Sequence, residues 1–224
     1  DPAGRRSPAF LVGFPRSGTT LLDTFLMGHP ATAVLEEVHM LGAAEARLGG
    51  VRRLGAATAD ELAAARDAYF SLLDRHVDPA FAGLVVDKMP LNLVGMPLIR
   101  ALFPGARIIF AQRHPCDCVL SCFMQSFVLN DAMASFLDLG DAADLYDAAL
   151  GQFSEARERL GLACADIVYE RLVADPAGEL EPLIDFLGLD WDPGLLDHPR
   201  TARARGAIIT PSYNQIVRPL DKAP

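Results

Sequence analysis

Apolar residues along the chain gather in short, nearly continuous runs, separated by longer stretches with a three-to-four-residue apolar spacing. The runs predict buried strands and the spaced stretches predict helices. Ala9–Gly13 (AFLVG) is the first strand, followed by Pro and Gly, and TTLLDTFLMGHP reads as a helix ended by Gly28 and Pro30. TAVLEE is a short second strand. Residues 40–76 are helical with a break around GGVRRLGAATAD, where Thr58 or Asp60 caps the helix ELAAARDAYFSLLDRHV. Gly83–Lys88 (GLVVDK) is a third strand, and LNLVGMPLIRALFPG a helix kinked or started near Pro97. Ala106–Arg113 (ARIIFAQR) is the clearest strand, and Pro115 opens a helix running to about Phe127. A helix over 141–161 ends at Gly161, ADIVYE is a fifth strand, and PAGELEPLIDFLGL a last helix. The segment Thr201–Pro224 has no periodicity and reads as a loop packed across the carboxyl edge of the sheet. Strand and helix alternating five times predict an α/β fold: a central parallel β-sheet with helices on both faces.

The chain of 224 residues is long enough for a full core and is read as one domain, 1–224, a fragment truncated at both ends. The net charge of −9 argues against a nucleic-acid partner, and no apolar run is long enough for a membrane span. A local arginine cluster still suits one anion. With 18 arginines and only two lysines, each lysine merits separate inspection. Cys116, Cys118, Cys122 and Cys164 lack a paired zinc spacing, so no metal site is expected and the thiols are read as reduced, in a cytoplasmic protein.

The most informative stretch is Leu11–Leu22, LVGFPRSGTTLL. Gly13 and Gly18 have the spacing of the phosphate-binding loop G-x-x-x-x-G-K-[ST], but Thr19 and Thr20 stand where Lys and Ser/Thr belong. Backbone N–H groups at the helix start, two hydroxyls and the Arg16 guanidinium suit an oxyanion. The missing lysine argues against a triphosphate whose γ-phosphate must be held with Mg²⁺. A phosphosulfate fits better. A plain strand-to-helix turn is the structural alternative.

At this point the chain resembles the sulfotransferases that use 3′-phosphoadenosine-5′-phosphosulfate (PAPS). It is most similar to the branch of tyrosylprotein sulfotransferases and bacterial TPR-sulfotransferases. FPRSGTTLL, HPATAVLEE, DKMPLN, LFPGARIIFAQRHPCDCVLS, VYERLVADP and SYNQIVRPL carry the resemblance, in the family's order. It implies a fold like that of P-loop-containing nucleoside triphosphate hydrolases, with PAPS as cofactor and adenosine 3′,5′-bisphosphate as product. It assigns Arg16, Ser17, Gly18, Thr19 and Thr20 to the 5′-phosphosulfate, and Arg113 and Ser121 to the 3′-phosphate. Tyr169 falls near the adenine, and Ser212 on the phosphosulfate, with Tyr213, Gln215 and Arg218 as weaker contacts. Glu37 takes the place of the catalytic base, with Glu36 as its register competitor. The segment departs from its model at Leu35, where the family has Gly, and at His39, where it has Arg. His39 therefore stays open as an alternative base. Lys88 takes the tyrosylprotein branch's lysine position, where cytosolic enzymes carry a catalytic His.

The implied reaction makes a sulfate ester on a hydroxyl acceptor: peptide tyrosine, carbohydrate, lipid or small phenol. Glu37 acts as base, and Lys88, Arg16 and Ser212 stabilise the transition state. Two rival readings remain, a Mg²⁺-dependent nucleotide kinase, for which Asp87 would be the acidic residue, and a non-catalytic nucleotide-binding domain.

Overall fold

Five buried residues in a row make Ala9–Gly13 (β1) a strand covered on both faces, and the sheet forms around it. The computed structural model describes residues 4–204. The other strands are Thr32–Glu36 (β2), Leu84–Lys88 (β3), Arg107–Gln112 (β4) and Ala163–Val168 (β5), all parallel in the order β2-β3-β1-β4-β5. The helices are Thr19–Met27 (α1), Met40–Leu48 (α2), Ala59–Leu73 (α3), Met96–Leu102 (α4), Pro115–Phe123 (α5), Leu139–Leu160 (α6), Tyr169–Ala174 (α7), Pro176–Leu187 (α8) and His198–Ala204 (α9). None of the described helices is long and apolar enough to cross a membrane.

The two-residue alternation of each strand divides the core in two. Ala9 and Leu11 pack with Phe25, Ile109 and Leu183 on one face of the sheet. Phe10 and Val12 pack with Met40, Tyr69 and Phe153 on the other. The same alternation separates two neighbours at the end of β3. Asp87 turns into the second cluster, toward Tyr69, and Lys88 turns the other way, toward Asp23 of α1.

Capping residues set the helix ends where the sequence allowed choices. Thr58, not Asp60, caps α3: its hydroxyl accepts from the Glu61 N–H at 3.2 Å, and the Glu61 carboxylate accepts the Thr58 N–H at 2.8 Å. Asp138 caps α6 by accepting from the Gly140 and Asp141 N–H groups, so the helix starts at Leu139, two residues before its expected start. Helix α5 stops at Phe123 rather than Phe127, because Phe127 turns back to pack on Phe136, ring centroids 5.2 Å apart. Strand β5 ends at Val168, whose N–H donates to the Glu179 carboxylate at 3.0 Å. Tyr169, expected inside the strand, opens α7 instead. Residues 201–204, expected in a loop, complete α9, and the rest of that loop lies outside the described residues. Trp191 is 37% exposed.

Asp87 makes stability depend on pH. Its carboxyl is fully buried and accepts the Tyr69 hydroxyl at 2.8 Å, while Oδ1 has no partner. Burial pushes it up to about 7 against the donated Tyr69 hydrogen bond. Between its unfolded value near 3.8 and about 7 the folded state holds a proton that the unfolded state has lost. Stability from this group therefore falls as pH rises through that window and is level above it. Asp87→Asn is expected to add about 2–4 kcal/mol at about pH 8 and little at about pH 4. Chemical denaturation of both proteins across that range checks it, and parallel pH dependences would refute it.

Candidate active site

The turn between β1 and α1 lies at the carboxyl edge of the central strand, where open α/β sheets bind ligands. Its close packing needs glycine at two points. A Cβ on Gly13 would sit 2.5 Å from Ser17 Oγ, and one on Gly18 would sit 2.5 Å from the Tyr169 ring. Gly18 also has φ of 95°, in the left-handed region. Helix α1 starts there with buried Thr19 and Thr20 and no acidic residue in its first turn. Its leading N–H groups are thus directed at the turn without a competing carboxylate. Cys122 fixes the turn from beneath, its thiol donating to the Pro15 carbonyl at 3.3 Å. Burial pushes that thiol up to about 12, so it is a packing group and not a nucleophile.

Strand β4 and helix α5 bring the second set of residues to the same turn. The Arg113 guanidinium donates to the Arg16 carbonyl at 3.3 Å and lies 4.7 Å from the centre of the Tyr169 ring. Ser121 accepts from Arg16 Nε at 3.0 Å, which leaves its own proton for another acceptor. Arg113 and Ser121, expected to act together, are therefore joined through Arg16. Asp117 approaches Arg113 at 3.9 Å from the next turn of α5. His114 stands at the head of α5 without a side-chain cap, and its N–H donates to Glu170 instead. Burial lowers the Arg16 guanidinium from its ordinary value; Cys122 opposes this and Arg113 adds to it. Two crowded guanidinium groups are an arrangement that an anion relieves.

Lys88 closes β3 with its side chain wholly buried. Its ammonium meets Glu36 at 2.8 Å, Glu37 at 3.0 Å and Asp23 at 3.6 Å. Burial works to lower the ammonium, but Asp23, Glu37 and Glu36 outweigh it and hold Lys88 above its ordinary value. The three carboxylates differ in access: side-chain exposure is 0% for Asp23, 18% for Glu36 and 44% for Glu37. Glu37 is the most exposed of the three. Its backbone is held at φ 54°, and its N–H donates to the Lys88 carbonyl at 2.8 Å. Arg16, at φ 71°, and Glu37 are the two non-glycine residues with positive φ among the described residues. Such conformations cost energy and persist where the surroundings impose them, often at functional sites. His39, the other candidate base, is exposed at the head of α2.

Asp23 belongs to no motif in the sequence. The available signal was one acid within the apolar run TTLLDTFLM, four residues after Thr19. Asp87 is turned from this edge toward Tyr69, so it does not share the turn's anion space. Ser212, Tyr213, Gln215 and Arg218 lie outside the described residues. A cavity of about 650 Å³, walled by Phe14, Ser17, Arg113, Tyr146 and Phe153, runs beside the turn along β4 and α6. It shares Ser17 and Arg113 with the anion turn but none of its walls with the Lys88 cluster.

The family model described as "Sulfotransferase family" matches residues 8–193. The chain belongs to the sulfotransferase family. It is 25% identical to chicken (Gallus gallus) protein-tyrosine sulfotransferase 2 over 95% of its length and 60% of that protein's. It is 28% identical to human heparan sulfate glucosamine 3-O-sulfotransferase 6 over 84% of its length and 54% of that protein's. The chain thus spans a little over half of these curated relatives. Among solved structures, the sulfotransferase domain of the Synechococcus PCC 7002 olefin synthase superposes with a TM-score of 0.65 at 22% identity, over 99% of this chain and 88% of that one. Mouse sulfotransferase SULT7A1, complexed with PAP, superposes with a TM-score of 0.55 at 18% identity, over 98% and 72%. These likenesses establish the P-loop-type α/β fold of this sulfotransferase-family chain.

Proposed function

We propose that this chain transfers a sulfuryl group from PAPS to a hydroxyl-bearing acceptor, with Glu37 as general base. The observation that carries the reading is the pairing of two arrangements on one sheet edge. One is an anion turn whose Ser17 Oγ and Arg113 Nε are buried without hydrogen-bond partners. The other is a buried lysine paired with a half-exposed glutamate. Unsatisfied buried polar atoms are costly, and a doubly phosphorylated nucleotide fits a turn that leaves them. Ser17, Gly18, Thr19, Thr20 and Arg16 would hold the 5′ end, and Arg113 and Ser121 the 3′-phosphate, with Tyr169 beside the adenine. Ser212, with Tyr213 and Gln215 near it, is proposed as a further contact on the strength of the resemblance alone.

Bound PAPS supplies an activated sulfuryl group with adenosine bisphosphate as its leaving group. Glu37 takes the hydroxyl proton while the acceptor oxygen bonds to sulfur. The bond between sulfur and the phosphate oxygen breaks, and its electron pair stays on that oxygen, where Lys88 and Arg16 offset the charge. A metal-dependent kinase would instead direct a carboxylate from a strand end at the phosphates, the place Asp87 leaves. The curated relatives' names speak of tyrosine and of glucosamine, both hydroxyl acceptors. Tyrosine, carbohydrate, lipid and small phenol are all carried forward as acceptors.

Calorimetry tests the nucleotide assignment. Adenosine 3′,5′-bisphosphate is expected to bind without Mg²⁺ and more tightly than AMP, which lacks the 3′-phosphate. Arg113→Ala is expected to weaken the bisphosphate by about 10- to 100-fold, as for loss of a charged hydrogen-bonding group, and to leave AMP nearly unchanged. ATP binding that requires Mg²⁺, or equal losses for both nucleotides, would overturn the assignment.

A further inference from the structure

The stretch between Arg113 and Arg157 contains no lysine or arginine and seven acidic residues, so it carries most of the net charge of −9. The same stretch holds most of the large apolar side chains that the described surface exposes. Met124 is 75% exposed, Val128 91%, Leu129 62% and Leu137 69%. Leu120, Phe123 and Leu139 are also exposed. These residues sit on one structural unit. Phe127, beside Val128 and Leu129, packs on Phe136, beside Leu137, and Phe136 packs on Phe14 with ring centroids 5.8 Å apart. Phe14 belongs to the anion turn, and Ser121 lies between Leu120 and Phe123 on α5, so the patch adjoins the nucleotide site. An acidic edge borders it. Leu137 and Leu139 flank Asp138, and Asp141, Asp144 and Asp147 succeed it at three-residue spacing on α6, all exposed. Their spacing puts them on a single strip of the helix.

Clustered exposed apolar residues of this size mark an interaction surface. The charge beside them decides what it fits. An anionic lipid surface or an acidic peptide would meet the seven acidic residues of this stretch, which itself contains no lysine or arginine. We infer that the surface over residues 120–147 docks a basic amphipathic peptide segment of a partner protein. Its apolar side chains would cover Met124, Val128, Leu129 and Leu137, and its lysines or arginines would face Asp141, Asp144 and Asp147. None of the apolar or acidic residues named on this surface is among the proposed catalytic or nucleotide-binding residues.

A fluorescent amphipathic peptide tests it, with Leu and Phe at helical spacing, lysines on its flanks, and a twin carrying glutamate at each lysine. Anisotropy is expected to give the lysine peptide at least about tenfold tighter binding at low salt, a margin that shrinks as salt rises. The triple variant Asp141→Lys/Asp144→Lys/Asp147→Lys is expected to reverse the preference, and Val128→Ser/Leu129→Ser to weaken both peptides. The far-UV circular dichroism spectrum and melting temperature of each variant, measured in parallel, are expected to match the unmodified chain and report that the fold is intact. Absence of binding by the lysine peptide, equal affinity for the twins, or a preference that survives charge reversal would overturn the inference. So would uptake onto anionic lipid vesicles without any preference between peptides.

Discussion

Glu37→Gln is expected to lower kcat by about 10²- to 10⁴-fold, the range for loss of a general base, and to leave bisphosphate affinity unchanged. The substitution keeps the size of the side chain and its hydrogen-bonding reach toward Lys88, and removes only its ability to accept a proton. The backbone should not move, because the Glu37 N–H to Lys88 carbonyl bond that fixes this position does not involve the side chain. The same experiment ranks the competitors. Glu36 also contacts Lys88 but is more enclosed, so Glu36→Gln is expected to cost less in kcat and more in stability. His39 is exposed at the head of α2 and is not one of the Lys88 ammonium's partners, so His39→Ala is expected to act mainly through KM. Steady-state kinetics with labelled PAPS and an acceptor that the enzyme sulfates decide between them. A full loss on His39→Ala with Glu37→Gln near normal would exchange the two roles. An unchanged kcat in both would remove Glu37 and His39 from the proton transfer, whereas bisphosphate binding with no acceptor ever sulfated would favour a non-catalytic nucleotide-binding domain.

The range of each interaction decides how much of it the sequence discloses. Strands such as AFLVG and ARIIFAQR are legible because burial on both faces demands continuous apolar residues, a local property. The anion turn is legible for a similar reason: a tight strand-to-helix turn leaves room only for glycine at 13 and 18, and it displays its polar residues in sequence. The Lys88 cluster is different. Its members come from α1, from the end of β2 and the residue after it, and from the end of β3, and only the parallel pairing of β2 with β3 brings Glu36 opposite Lys88. The resemblance named Glu37 and Lys88 as separate roles, but nothing local linked Asp23 to either. Arg16 is a second instance. The motif assigns it to the 5′ group, yet its Nε reaches Ser121 on α5, so the two ends of the proposed nucleotide site share one side chain. The end of β5 is illegible because Tyr169 suits a strand as well as a helix start, and the carboxylate that stops the strand, Glu179, lies on α8.

Lys88→Met is expected to abolish measurable transfer and also to cost about 3–5 kcal/mol of stability, because it strands buried carboxylates without their counter-ion. Loss of a cation aimed at developing charge accounts for about 10²- to 10³-fold in kcat, and the misplacement of Glu37 adds to it. Activity alone cannot separate these effects from unfolding, so the informative measurement is a double-mutant cycle with Asp23. Asp23 is the wholly buried carboxylate of the cluster, held also by the Thr24 hydroxyl at 3.2 Å. Asp23→Asn on its own removes one of three negative charges around Lys88 and is expected to cost less than Lys88→Met, since Glu36 and Glu37 still compensate the ammonium. In the double variant the worst uncompensated charge is gone, so its stability loss is expected to be smaller than the sum of the two single losses by about 1–3 kcal/mol. Transfer should not recover with it, because the cation is still missing. Alkaline pH gives an independent reading. Lys88 is held above its ordinary value, so its contribution is complete below the unfolded lysine value and fades as pH rises through the folded one. Asp23→Asn weakens the field that holds the ammonium protonated, and is expected to move that loss to lower pH. Additive stabilities in the cycle, or an alkaline limb that ignores Asp23→Asn, would mean that Asp23 merely fills space beside Lys88 and does not hold its charge.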